Sequence, residues 1–345
     1  MDNLINTDQA VEISDGIYWV GAGTKTFLSR NSFLRVFEGN NTIGTLLIDP
    51  GPTSDFVSLS HKVSSVLPGG LSSINLAFIN HQDPDVVGVL PKLYAMNRRL
   101  NIIATEDTWR LVSLNGLASV RFRSIDQVQE QLLVLPTGHR LEFIPTPYCH
   151  FRGASMIYDL ESRILFTGDF LGGVEAAAGL IATEENWAGI KAFHQIYMPS
   201  NEAMKLAVQK IRALEPAPLA LAPQHGGLIK GDLIELFLKR ISELPVGLDI
   251  VTSVNDRLPA LIAGLNDVLV AVKETMGEYK VNSILKQFKP DGCYPSLITL
   301  GRDGHVVDIK GDPYEAINAL LNAFLDSATE KQKKLLRPVF NLLLL

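Results

Sequence analysis

Cysteine is scarce in this chain. Two occur in 345 residues, Cys149 and Cys293, far apart and in no CxxC pairing. That argues against a disulfide framework, a zinc knuckle and a rubredoxin-like iron site, and makes a reducing, cytoplasmic setting the expectation. Basic charge is also in short supply. Lys and Arg number 31 against 37 Asp and Glu, a formal net charge of -6, and no basic stripe appears. Nucleic acid therefore has no electrostatic footprint here. No apolar run reaches the ~18 residues that a membrane span needs. The tail Val339-Phe340-Asn341-Leu342-Leu343-Leu344-Leu345 is apolar but short, and is expected to pack on its own domain or on a partner. The acidic, polar start Met1-Asp2-Asn3-Leu4 is unlike a signal peptide. Internal repeats and low-complexity segments are missing too.

What is present is ordinary globular composition, 46% hydrophobic and 20% charged, enough for a sizeable core. The length suits one large domain or two ordinary ones. Residues 10–52 read as strands: Ile17-Tyr18-Trp19-Val20, Phe33-Leu34-Arg35-Val36 and Thr45-Leu46-Leu47-Ile48-Asp49 are β-branched or aromatic runs cut by Gly and Asn. A helical period follows over residues 54–67 through Phe56, Leu59, Val63 and Val66. The apolar run 74–80 predicts a buried strand, and residues 86–94 a helix. Further strands are expected at 101–104, 131–135, 140–144, 155–159, 163–166 and 218–223. Helices are expected at 106–114, 184–197, 201–214 and from Gly231-Asp232 to about residue 244. Beyond Pro245-Val246-Gly247 the texture changes to helices over 259–287, 314–328 and 330–343, with two short strands near 296–300 and 305–309. Gly301-Arg302-Asp303-Gly304 reads as the hairpin turn between them. A domain boundary is placed near residues 246–257.

His81-Gln82-Asp83-Pro84-Asp85-Val86 is the chemically distinctive stretch. It presents one imidazole and two carboxylates at alternate positions where a buried strand ends. His150, Asp169 and His225 each follow a predicted strand as well. Ligands on strand ends can converge on one sheet edge, and rigid strands hold them there. Imidazole and carboxylate donors suit iron, zinc or manganese, and a set without thiolate disfavours structural zinc.

These residues resemble the metallo-β-lactamase fold, and within it the flavodiiron and oxygen-binding diiron protein (ODP) branch. That family carries His-x-Glu-x-Asp-His, then a His, an Asp and a His further on. His81, Asp83 and Asp85 fill the first three places, with Asp83 for the glutamate and Val86 for the second histidine. His150, Asp169 and His225 fill the rest. The segments Ile17-Tyr18-Trp19-Val20-Gly21, Thr146-Pro147-Tyr148-Cys149-His150-Phe151-Arg152-Gly153, Ile196-Tyr197-Met198-Pro199-Ser200 and Ala222-Pro223-Gln224-His225-Gly226 fit the same pattern. The likeness covers about residues 10–245.

The resemblance implies an α/β, metallo-β-lactamase-like αββα sandwich at residues 1–247. A smaller, mostly helical α+β C-terminal module follows at 258–345. It implies one metal held by His81, Asp83 and His150, a second held by Asp85 and His225, and Asp169 bridging them. Without an imidazole at Val86 the second site is weakened, and single-metal occupancy stays open. Iron is the implied metal, with zinc or manganese as alternatives. O2 or NO is the implied small ligand, and a homo-oligomer and a redox or signalling protein are the partners expected. The last ~100 residues lack the phosphate loop of a flavodoxin, so no FMN domain is recognised. If the chain is an enzyme, it is a flavodiiron-like oxidoreductase needing an external electron donor; otherwise it is a sensor. A metallohydrolase of the thioesterase or phosphodiesterase kind and a metal-depleted scaffold are the alternatives.

Some positions read two ways. Asp85 can ligate a metal or merely cap the helix after it. Tyr148 can hydrogen-bond an oxygen ligand at the site or be a core aromatic. Cys149 can react or be a buried, inert thiol. His194 can replace the missing imidazole or be an ordinary packed or solvated histidine. His61, His139 and His305 read as surface residues. Leu261, Leu265, Val268 and Val272 form an apolar helical stripe, either core or a dimer face.

Overall fold

Short β-branched and aromatic runs build the first sheet. Its strands are β1 Val11–Ser14, β2 Ile17–Trp19, β3 Phe33–Gly39, β4 Thr42–Ile48, β5 Leu76–Phe78, β6 Asn101–Ala104 and β7 Arg121–Ser124, side by side in that order. The first four pair antiparallel and β4 to β7 run parallel. The second sheet holds β8 Leu132–Val134, β9 Arg140–Pro145, β10 Ser155–Asp159, β11 Ile164–Gly168, β12 Ala220–Pro223 and β13 Ile229–Lys230, again in chain order. Only β11 and β12 are parallel there. This computed structural model describes residues 7–22, 28–174, 179–250, 258–288, 292 and 296–344. Cys293 and most of the expected boundary segment lie outside the described residues.

Three apolar layers make the sandwich. Phe33, Phe37, Leu46 and Phe78 of the first sheet meet Phe143, Ile157, Phe166 and Ala222 of the second. Outside the first sheet, Leu34, Leu47 and Ala77 pack under α1 Phe56–Val66, α2 Pro84–Val87, α3 Leu90–Met96 and α4 Glu106–Val112. Outside the second, Met156, Leu165 and Leu221 pack under α5 Trp187–Tyr197, α6 Asn201–Arg212 and α7 Asp232–Ser242. Sheets buried on both faces read as near-continuous apolar runs, which is why β11 and β12 were legible.

The expected helix 86–94 is two helices, α2 and α3. Its hydrogen-bond ladder is interrupted because Val89 N donates to Gly51 O at 3.0 Å, while Gly51 N donates to Val86 O at 3.0 Å. Gly88 permits that crossing: a Cβ there would stand 2.7 Å from Thr53 N. Strands β1, β7 and β13 were not expected individually. β7 is an edge strand whose two arginines face solvent, so it lacks an apolar run. β13 is two residues long and exists only through pairing with β12.

The chain divides into two compact units, Met1–Asp249 and Ile250–Leu345. The second has α8 Leu258–Met276, α9 Glu278–Lys286, the hairpin β14 Ile298–Leu300 with β15 Val306–Ile309, α10 Pro313–Ser327 and α11 Glu330–Leu344. Its own core contains Leu265, Val268 and Val272 of the apolar stripe, with Leu261 partly buried against it. Gly304, at φ +79°, closes the hairpin turn. No helix among the described residues is long and apolar enough to cross a membrane.

Candidate metal centre

Strands β5, β9, β11 and β12 end at one edge of the sandwich, and the loops leaving them carry the titratable side chains. His81 follows β5, His150 lies in the β9–β10 loop, Asp169 directly follows β11, and His225 follows β12. Backbone bonds clamp these loops together. Ser155 N donates to Asn80 O at 3.1 Å, and Gln224 N donates to Gly168 O at 2.8 Å. The His150 loop is pinned to α4, since Gly153 O accepts from Thr105 Oγ1 at 2.7 Å and Thr108 Oγ1 at 2.9 Å.

All six expected residues come together, arranged about one carboxylate. Asp169 Oδ2 lies 3.5 Å from His81 Nε2 and 3.2 Å from His150 Nε2, while Asp169 Oδ1 lies 3.4 Å from His225 Nε2. Asp83 Oδ2 stands 3.7 Å from His81 Nε2 and 3.2 Å from His150 Nε2. At the other end, Asp85 Oδ2 stands 3.3 Å from His225 Nε2. Asp85 makes no capping bond, because the N-cap of α2 is Asp83 and no side chain caps that helix. Ligand-type atoms of His81, His150 and Asp169 lie within 4.8 Å of one another, as do those of His81, Asp83 and Asp85.

The imidazoles are aimed by groups behind them. Asn80 donates its amide to Ser155 O, which turns Asn80 Oδ1 toward His81 Nδ1 at 3.0 Å. Backbone Ser29 O accepts from His225 Nδ1 at 2.6 Å. In both rings Nδ1 faces the acceptor behind it, which turns Nε2 toward the cluster, where a metal would take the place of the Nε2 proton. Burial opposes charge on His150 and His225, yet the carboxylates outweigh it. Asp169 and Asp83 raise His150 to about 10, and Asp169 and Asp85 raise His225 to about 9. Asp169, although buried, is held well below the usual carboxylate range by His81, His150 and His225.

The donor set fits a metal. Gln82 Oε1 and Gln224 Oε1 are buried acceptors without a hydrogen-bond donor, and Asp169 Oδ1 has only the long 3.4 Å contact with His225 Nε2. Each such orphan costs about 1–3 kcal/mol, and a bound cation satisfies oxygens of this kind. Hard oxygen donors mixed with imidazole suit iron or manganese better than thiolate-seeking ions.

The other named residues fall as follows. Val86 is fully buried in the apolar layer outside the first sheet. His194 does not replace it: His194 Nδ1 bonds Ile190 O at 2.8 Å, and Nε2 accepts from Leu171 N at 3.1 Å. Both ring nitrogens are used, so it is the ordinary packed histidine. Tyr148 is 51% exposed at positive φ, which corrects the core-aromatic reading. Cys149 is buried, and burial pushes its thiol up to about 12, so it is inert. His61 is exposed, whereas His139 and His305 are half-buried.

Four contributors were not foreseen: Ser29, Asp49, Asn80 and Gln224. Asp49 Oδ1 accepts from Asn80 N at 2.9 Å, and burial pushes its carboxyl up to about 7. A signal for it existed, since an acidic residue ending the apolar run Leu46-Leu47-Ile48 has the same form as Asp169 after β11. Ser29 reaches His225 through its backbone carbonyl, while its Oγ accepts from Gly226 N at 3.0 Å.

Comparison with known proteins gives one family match and several distant relatives. A family model described as ODP family beta lactamase matches residues 28–226. Diflavin flavoprotein A 1 of Synechocystis sp. is 30% identical over 99 residues, covering 29% of this chain and 17% of the relative. An uncharacterized HTH-type transcriptional regulator of Aquifex aeolicus is 27% identical over 149 residues, covering 42% of this chain and 50% of the relative. The chain thus spans half or less of these curated relatives. Among solved structures, the chemotaxis sensor ODP, determined as its peroxy diiron species, superposes with TM-score 0.58 at 24% identity, covering 71% of this chain and 99% of that one. At that identity the likeness establishes the metallo-β-lactamase-like fold.

Proposed function

The chain belongs to the ODP beta-lactamase family, and from that premise we propose that it is a non-haem iron protein whose centre binds O2 or NO and reports the binding as a sensor. One observation carries this reading: a single buried carboxylate, Asp169, faces His81 and His150 with one oxygen and His225 with the other. A carboxylate so placed can hold two cations apart and together. His81, Asp83 and His150 would hold one iron, Asp85 and His225 the other, with Asp169 shared. Iron held there would supply binding of a diatomic ligand and electron exchange with it.

The chain's own groups prepare for that chemistry. Asn80 and Ser29 hold two imidazoles with Nε2 toward the cluster. The inert Cys149 behind the site offers no competing thiolate. Asp83 supplies a carboxylate in place of a further imidazole, and hard oxygen donors favour iron over a zinc hydrolase. The sensor reading, in preference to a self-sufficient reductase, is supported by the second unit, whose described residues form helices α8–α11 and one two-stranded hairpin instead of a doubly wound parallel sheet. A signalling partner, a homo-oligomer and a cytoplasmic setting belong to the same proposal.

The test is anaerobic loading of the full chain with Fe(II), followed by metal counting and visible spectra before and after O2 or NO. Bound iron with an absorption band that appears on adding either gas is the expected result. Zinc as the sole bound metal, with thioesterase or phosphodiesterase turnover, would replace this reading with the hydrolase. A folded chain that binds no metal at all would leave only the scaffold.

A further inference from the structure

We propose that Gln224 supplies, through its side-chain oxygen, the ligand at the Asp85–His225 end that Val86 does not. This rests on the reading of the cluster as a metal centre. That end has three evident donors, namely His225 Nε2, Asp85 Oδ2 and Asp169 Oδ1. The other end has four, in His81, His150, Asp83 and the second oxygen of Asp169.

Gln224 is the residue that can close the gap. Its backbone is clamped on both sides, N donating to Gly168 O at 2.8 Å and O accepting from Asn31 N at 2.6 Å. The start of its side chain is therefore fixed. The residue is 2% exposed, and its amide lies against Asp85, with Nε2 3.3 Å from Asp85 Oδ2 and 3.4 Å from Asp85 O. Oε1 is buried with no donor. A buried amide with two long, weak bonds at one end and an orphaned acceptor at the other is poorly satisfied as it stands. The two ends of an amide have nearly the same size, so a half-turn about its last bond exchanges them. Oxygen against the Asp85 carboxylate is repulsive unless a cation lies within reach of both. With one there, both oxygens become ligands. The amide is a neutral, hard donor of the kind iron and manganese accept. Gln82 also has an orphaned Oε1, but its amide is bonded to Asp83 Oδ1 at 2.8 Å, at the end already supplied.

The experiment uses the full chain titrated anaerobically with Fe(II) alone, reading stoichiometry and the separate affinities of the first and second equivalents. Gln224→Leu removes both amide ends, whereas Gln224→Glu keeps an oxygen and removes the N–H donor. The expectation is that Gln224→Leu weakens the second equivalent at least about tenfold with the first unchanged, and that Gln224→Glu binds the second at least as tightly as the parent. Circular dichroism melts establish that each variant is folded. If Gln224 merely donates an N–H to Asp85, Gln224→Glu sets two carboxylates together and weakens the second equivalent as much as Gln224→Leu does, which would overturn the proposal. An unchanged second equivalent in Gln224→Leu overturns it too. A parent chain that binds a single equivalent sinks the role of Gln224 while leaving the metal centre standing. A parent that binds none sinks the metal centre itself.

Discussion

His194 shows how one residue's environment fixes its chemistry. Burial holds its imidazole down to about 4 against the help of the Ile190 carbonyl, whereas an unfolded histidine titrates near ~6.5. Between those values the unfolded chain takes up a proton that the folded chain refuses. Its contribution is therefore a loss of stability as pH falls from about 6.5 toward 4. From pH 7 to pH 5 the loss assigned to this one residue is about 2 kcal/mol, by proton linkage. His194→Gln should shrink the pH 7 to pH 5 difference in urea unfolding of the metal-free protein by roughly that amount. An unchanged difference would show that His194 titrates normally. The same residue illustrates the limit of sequence reading. A histidine on a helix near the site looks available until its two nitrogens are seen to be used by Ile190 O and Leu171 N.

At the scale of elements, the turn out of β11 controls the site. Gly168 has φ +59°, and a Cβ there would fall 2.0 Å from Asn80 Cγ. Only glycine tolerates both that backbone conformation and that approach. Asn80 is the group that orients His81, so Gly168→Ala would disturb two candidate ligands through one methyl group, Asp169 by chain connection and His81 through Asn80. We expect a destabilisation of at least about 2 kcal/mol, read in a thermal melt, and a loss of bound iron larger than the stability change accounts for. Unimpaired iron binding in a folded Gly168→Ala chain would contradict this account of the turn. Strands whose faces are both buried, β11 and β12, were legible as apolar runs. The break between α2 and α3 was not, because its cause is a crossing of the Gly51 segment over the Val86–Val89 segment.

For the whole molecule, the second unit has an apolar core of its own, beginning where the sequence changes texture. Phe324 is fully buried within the second unit's core, among residues of that unit alone. Phe324→Ala should cost about 3–5 kcal/mol there. Calorimetry is expected to show two transitions of which one moves, with iron binding by the first unit retained. A single transition that shifts as a whole would mean that the units unfold together.

The sequence by itself determined that strands alternate with helices, since burial of both sheet faces writes itself as apolar runs, and the family resemblance supplied the αββα layering. It also determined which residues stand at strand ends, because His81, Asp83, Asp85, His150, Asp169 and His225 interrupt or follow those runs. Only the tertiary structure decided how they face one another. Strands β5, β9, β11 and β12 come from separate stretches of the chain, and strand order in the second sheet together with packing of the first sheet on it brings their ends together about Asp169. It alone decided that Val86 turns into the apolar layer, that His194 is occupied, and that Gln224 reaches Asp85. Those outcomes depend on backbone carbonyls and close approaches between distant segments, which local periodicity does not encode.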